Sequence, residues 1–187
     1  MLFRQKHIQR WSLMRNVMPD TLAAHTTEVT AVAHMLALIG NKYFGKNYDC
    51  GRVALLALYH DASEVYTGDL PTPVKYFNNE MRDAYSEIEK SAARVLLSKL
   101  PKEMQSEYAP LLTPAKSEAD ARLWQLVKAA DKLCAYIKCI EEEKCGNTEF
   151  REARKTLHAA LLANPLPELH KFMEDYLPAF ELTVDEL

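Results

Sequence analysis

Apolar residues recur along nearly the whole chain with a period close to 3.6, and few segments alternate apolar with polar. That is the signature of amphipathic helices, so the expected fold is all-helical. Only five glycines interrupt it. The spacing predicts a short first helix from residue 7 to about 16, carrying Arg10, Trp11 and Arg15. Pro19 then breaks the chain, and Asp20 or Thr21 caps a helix from 22 to about 38 that stops near Gly40. Residues 41–47 read as a polar loop, and the next helix runs from about 49 to 65. A long amphipathic helix starts at 74 or 79 and ends at Leu100 before Pro101; a short one covers 102 to 111. Thr113-Pro114 interrupts again, and Ser117-Glu118-Ala119-Asp120 opens a long helix to about Cys145, stopped by Gly146-Asn147. Helices over 148–163 and from 167 to about 180 complete the chain. No repeat, low-complexity segment or linker divides it, so residues 1–187 read as one domain with a substantial core.

Composition narrows the function. Hydrophobic residues make up 48% and charged ones 26%, with a formal net charge of -3. A nucleic-acid polymer usually demands a basic face, which this balance does not supply. A small anionic substrate stays open, provided local positive groups or a metal receive it. The first residues carry early charges and no apolar core segment, unlike a secretory signal. No apolar run approaches the length of a membrane span. Cys50, Cys134, Cys139 and Cys145 contain no C-x-x-C pair, which suits free thiols in a reducing cytoplasm.

The stretch from His60 to Lys75 carries the densest chemistry. His60-Asp61 follows the apolar run Val53-Ala54-Leu55-Leu56-Ala57-Leu58-Tyr59. On a helix adjacent side chains diverge by about 100°, so both can bend toward one ion. Glu64, four residues on, would share the face of His60, and Asp69 follows in a Gly/Pro-rich turn. A carboxylate and an imidazole at the end of an oily helix need a partner, because an unpaired buried charge is costly. A divalent metal is one such partner; water at a frayed helix end is another.

His25 opens the second helix, and His34, nine residues later, falls on the opposite face. Asp131 sits among small apolar residues but by itself reads as a surface ion pair with Lys128 or Lys132. His158, His170 and Glu141-Glu142-Glu143 read as solvated surface, and Tyr76, Phe77, Tyr85 and Tyr108 as core or a partner interface. Arg10 and Trp11 allow two readings: a surface charge beside a packing anchor, or a guanidinium for phosphate beside an indole bounding a sugar or base.

The order His25, then His60-Asp61, then Asp131, each on a separate helix, resembles the HD-domain metal-dependent phosphohydrolases, an all-helical superfamily. Longer stretches look like its bacterial 5′-deoxynucleotidases. These are Arg10-Trp11-Ser12-Leu13-Met14-Arg15-Asn16, Tyr59-His60-Asp61-Ala62-Ser63-Glu64-Val65, Thr67-Gly68-Asp69-Leu70-Pro71-Thr72-Pro73-Val74-Lys75-Tyr76 and Lys128-Ala129-Ala130-Asp131-Lys132-Leu133-Cys134-Ala135-Tyr136. The resemblance implies hydrolysis of 2′-deoxyribonucleoside 5′-monophosphates by a homodimer. It implies one divalent transition metal ion (Co, Mn or similar) on His25, His60, Asp61 and Asp131. Glu64 becomes the catalytic carboxylate and Arg10 orients the phosphate. Trp11 stands near the sugar; Asp69, Leu70, Pro71 and Thr72 line the nucleotide, with His25 and Asp131 facing it too. Family members commonly carry an acidic residue just before the first histidine. Ala24 stands there, which removes a possible polar partner of a ligand but no ligand. A metal- and nucleotide-holding module without turnover is disfavoured by the intact Glu64 and Asp69. A specificity for triphosphates or cyclic dinucleotides is disfavoured by the match around Arg10-Trp11 and the compact loop at Asp69.

Overall fold

The computed structural model describes residues 1–113 and 118–186. Among these there is no strand beyond one isolated antiparallel bridge, Gln9 to Thr21. The helices are α1 (Leu22–Tyr43), α2 (Cys50–Tyr59), α3 (Glu64–Thr67), α4 (Thr72–Lys75), α5 (Asn79–Ser98), α6 (Lys102–Leu112), α7 (Glu118–Lys144), α8 (Arg151–Leu162) and α9 (Pro167–Asp175). The expected all-helical bundle is what forms. The break at Pro114 and the helix start at Ser117 lie outside the described residues.

α1 is the axis of the molecule. The Thr21 hydroxyl accepts from Ala24 N–H and caps it. Leu22, Val29, Ala33, Leu36 and Ala37 then recur at helical spacing and are all fully buried. They pack on α2, α7 and α9, while α8 covers α7 and α5 joins α6 at the other side. α1 does not stop at Gly40. The glycine instead admits a neighbour: a Cβ there would lie 2.5 Å from the Tyr48 ring and 3.1 Å from Glu168 Oε1. By length and mean hydropathy (1.3) α1 also meets the test for a membrane span, contrary to the sequence expectation. One face of it is nonetheless buried against α2, α7 and α9, as in a core helix of the bundle.

Four other expectations need correction. Residues 8–20 are not a helix; they form a loop closed at its neck by the Gln9–Thr21 bridge and by Arg10 N–H donating to Asp20 O at 2.9 Å. The helix expected over 49–65 is broken. The bonds His60 N to Ala57 O (3.3 Å), Ala62 N to Tyr59 O (3.1 Å) and Glu64 N to Asp61 O (3.1 Å) tighten residues 60–63 into a turn between α2 and α3. Glu142 is not solvated: it is 0% exposed, because its carboxylate is enclosed by backbone N–H groups, Asn147 and Lys138. His158 is half-buried too, stacked 5.3 Å from Tyr136.

Candidate active site

The turn after α2 faces the first turn of α1 and the middle of α7, so three elements deliver polar side chains to one point. His25 Nε2 lies 3.0 Å from Asp131 Oδ1 and 3.8 Å from Asp61 Oδ2. His60 Nε2 lies 3.0 Å from Asp61 Oδ2. The His25 and His60 side chains are 2% and 6% exposed. Yet neither Nε2 atom makes a well-directed hydrogen bond among the described residues. His60 Nδ1 lies 2.7 Å from Ala57 O. A carbonyl can only accept, so Nδ1 carries a hydrogen and Nε2 is the ring nitrogen turned toward the cluster. His34, nine residues from His25, is exposed as its spacing implies.

The cluster draws positive charge. Burial opposes protonation of His60, but Asp61, with Asp131 behind it, outweighs burial and pushes the imidazole up to about 8. Burial likewise opposes ionisation of Asp131, and His25, His60 and Arg10 still hold it down at about 2. Asp61 is also held low against burial, chiefly by His60.

The 8–20 loop brings Arg10 over this cluster. Its Nε donates to Asp20 Oδ2 at 3.2 Å and its Nη1 lies 3.9 Å from Asp61 Oδ2. Asp20, which sequence reasoning saw only as a possible cap, is this buried partner; Thr21 does the capping. Ten residues separate Arg10 from Asp20, and no local spacing rule links them. Trp11 adopts φ 56°, a left-handed conformation that is an outlier for a bulky residue. Its ring packs 5.2 Å from Phe150 and its buried Nε1 has no partner among the described residues.

Glu64 is 7% exposed and its Oε2 has no partner among the described residues. Burial, reinforced by Asp61 and Asp69, pushes its carboxyl up to about 10; Arg10 and Lys75 pull the other way. Asp69 is half-buried and raised by burial as well, against the opposing charge of Arg10. Gly68 lets the chain turn at φ 71° after α3. Tyr85 OH, from α5, donates to Thr67 Oγ1 at 3.2 Å and reaches Gly68 O at 3.4 Å, which fixes the start of the Asp69 loop. Leu70 and Pro71 are half-buried along that loop and Thr72 is exposed at the start of α4. Ala24 is exposed, with its N–H spent on the Thr21 cap.

The family model for 5′-deoxynucleotidase YfbR-like proteins matches residues 1–180. The chain belongs to this family. It is 50% identical over 187 residues to a 5′-deoxynucleotidase of Vibrio parahaemolyticus, covering all of this chain and 95% of the relative. It is 48% identical over 186 residues to 5′-deoxynucleotidase YfbR of Escherichia coli O1:K1, covering 100% of this chain and 92% of that one. Among solved structures, an HD-domain phosphohydrolase from Listeria innocua superposes with TM-score 0.82 at 24% identity. The match covers 96% of this chain and 85% of that chain, a likeness of fold. The chain is a 5′-deoxynucleotidase of this family, with the fold seen in HD-domain phosphohydrolases.

A cation fits the residues that a member of this family brings together here. Ligand atoms of His25, His60 and Asp61 all lie within 4.8 Å of one another. Asp131 reaches the same imidazole from α7. Two imidazole nitrogens and two carboxylates make a donor set suited to a divalent transition metal. Two buried, undirected Nε2 atoms facing carboxylates are what such an ion would satisfy.

Proposed function

We propose that this 5′-deoxynucleotidase hydrolyses 2′-deoxyribonucleoside 5′-monophosphates at this cluster, releasing deoxynucleoside and phosphate. The reading is carried by one observation: the buried, undirected Nε2 atoms of His25 and His60 converge with Asp61 and Asp131 beneath the Arg10 guanidinium. His25, His60, Asp61 and Asp131 would hold one divalent transition ion. When bound, that ion supplies neutralisation of the phosphomonoester dianion and acidifies water it holds.

The remaining work falls to side chains. Arg10, braced by Asp20, presents its guanidinium to the non-bridging phosphate oxygens and keeps them in line for attack. Glu64 acts in its carboxylate form, which the positive charge of a cation beside Asp61 would favour over the burial that otherwise keeps it protonated. It takes a proton from the attacking water and passes it to the leaving 5′ oxygen. Trp11 bounds the sugar and Asp69 to Thr72 border the nucleotide, with His25 and Asp131 also facing the substrate. The enzyme works in the cytoplasm as a homodimer, independently of nucleic-acid polymers and membranes. Support for the compartment comes from four cysteines that are all free. Support for a second copy comes from Tyr76 and Phe77, 60% and 80% exposed.

A panel of deoxyribo- and ribonucleoside monophosphates assayed with Mg²⁺, Mn²⁺ and Co²⁺ tests this. Deoxynucleotides should be turned over in preference to their ribo counterparts, and a chelator should abolish the activity. Preference for ribonucleotides or triphosphates, or indifference to the chelator, would contradict it.

A further inference from the structure

α7 grips the Arg10–Trp11 loop at its far end as well as facing the site. Glu142 Oε2 accepts from Val17 N–H at 2.9 Å and Oε1 accepts from Met18 N–H at 2.9 Å. Asn147 Nδ2 donates to Glu142 Oε2 and to Arg15 O, each at 2.7 Å. Lys138, one turn earlier, donates to both Glu142 Oε1 and Met18 O. Residues 15, 17 and 18 are thus held through backbone atoms, whose positions no surface side chain would fix. The loop is also braced internally, as Asn16 Nδ2 donates to Trp11 O at 3.2 Å and Met14 O at 2.9 Å. Phe150 closes the circuit: its ring meets Trp11 at 5.2 Å and lies 5.8 Å from Lys138 Nζ.

We propose that Glu142, with Lys138 and Asn147, is a positioning residue that seats the Arg10–Trp11 loop over the metal-ligand cluster. It rests on the reading that Arg10 and Trp11 meet the nucleotide. α7 carries both Asp131 and Glu142, eleven residues or about 16 Å apart along the axis. A stiff helix therefore sets the distance between cluster and clamp. The clamp also accounts for the conformation of Trp11. A bulky residue at φ 56° persists only where its surroundings over-determine it, and here the neck at Arg10–Asp20, the Phe150 ring and the clamp do so.

The test uses Glu142→Gln in a Trp124→Phe background, where Trp11 is the remaining tryptophan. A glutamine keeps the shape, but its amide group sets a donor against Lys138 or Asn147. Trp11 fluorescence should become more accessible to acrylamide. KM for a deoxynucleotide should rise about tenfold or more with a smaller change in kcat, because small displacements of positioning groups are costly. The ratio of deoxy to ribo turnover should shift as well. Mn²⁺ affinity should hold to within about twofold, since well-separated sites act independently. A folded variant with unchanged quenching, KM and ratio overturns the proposal; so does a fall in kcat that only tracks loss of metal. Should Glu142→Gln fail to fold, Asn147→Ser keeps an oxygen to cap Glu149 N–H but loses the amide that reaches Arg15 O. It should move the same readouts in the same direction, and wild-type values there overturn the clamp. If Trp11→Ala and Arg10→Ala leave KM unchanged, the reading of the site falls and the clamp with it. Sensitivity to those two with indifference to Glu142→Gln removes the clamp alone.

Discussion

Glu142→Ala separates a buried clamp from a solvated helix face. The side chain is 0% exposed and accepts from Val17 N–H, Met18 N–H, Asn147 Nδ2 and Lys138 Nζ. Its removal strands the Lys138 ammonium, 8% exposed, with Met18 O as its remaining close partner and leaves two backbone N–H groups without theirs. Breaking a buried pair from one side costs about 3–5 kcal/mol. A chain of 187 residues unfolds with an entropy of about 0.4 kcal/mol/K, so the melting temperature should fall by roughly 8–13 °C. The effect has a pH signature. Burial opposes ionisation of Glu142, but Lys138 and the surrounding N–H groups prevail and hold it down at about 2. A depressed carboxylate stabilises the fold fully above its unfolded value of about 4.3 and loses that contribution as pH falls toward the folded value. The gap between wild type and variant should therefore be widest near neutral pH and close between about pH 4.3 and about pH 2. Circular-dichroism melts of both proteins across that range measure it. A neutral-pH difference below about 2 °C, the scale of ordinary surface substitutions, would refute the buried clamp.

Three further outcomes concern the chemistry. Glu64→Gln should keep the metal by calorimetry while turnover falls by ~10²-fold or more, the usual scale of general-base loss; full activity would move the proton acceptor elsewhere, with Asp69 next. Arg10→Ala should lower kcat/KM on every nucleotide alike, because all carry the phosphate, and a substrate-selective loss would contradict its role. Trp11→Ala should change the ratio of deoxy- to ribonucleotide turnover, whereas a parallel fall with lower stability would leave it only the Phe150 packing seen here.

Much of this was legible before any coordinates. Helical periodicity pointed to the bundle, and the spacing of His25 and His34 implied that the two cannot share a site; His25 is buried at the cluster and His34 is exposed. The turn at residues 60–63 was not legible, because His60 to Glu64 keeps a helix-compatible composition while its bonds tighten to i–3. Gly40 looked like a stop and is a close-packing position against Tyr48, a contact made across the loop that follows α1. Glu142 sits in a triple-glutamate run that composition assigns to solvent. Its partners, Val17 and Met18, come from more than a hundred positions away, and no local rule reaches that far. Asp131 shows the same limit in reverse: locally it suits a lysine pair, and only the packing of α7 on α1 sets it against His25.

The most direct test of the account is metal content and deoxynucleotide turnover measured together on wild type and Asp131→Ala. Wild type should bind one Mn²⁺ or Co²⁺ ion per chain and hydrolyse a 2′-deoxyribonucleoside 5′-monophosphate. Asp131→Ala should lose the ion and the activity together while remaining folded. A folded Asp131→Ala with full metal content and full turnover would contradict the assignment of this cluster as the catalytic metal centre.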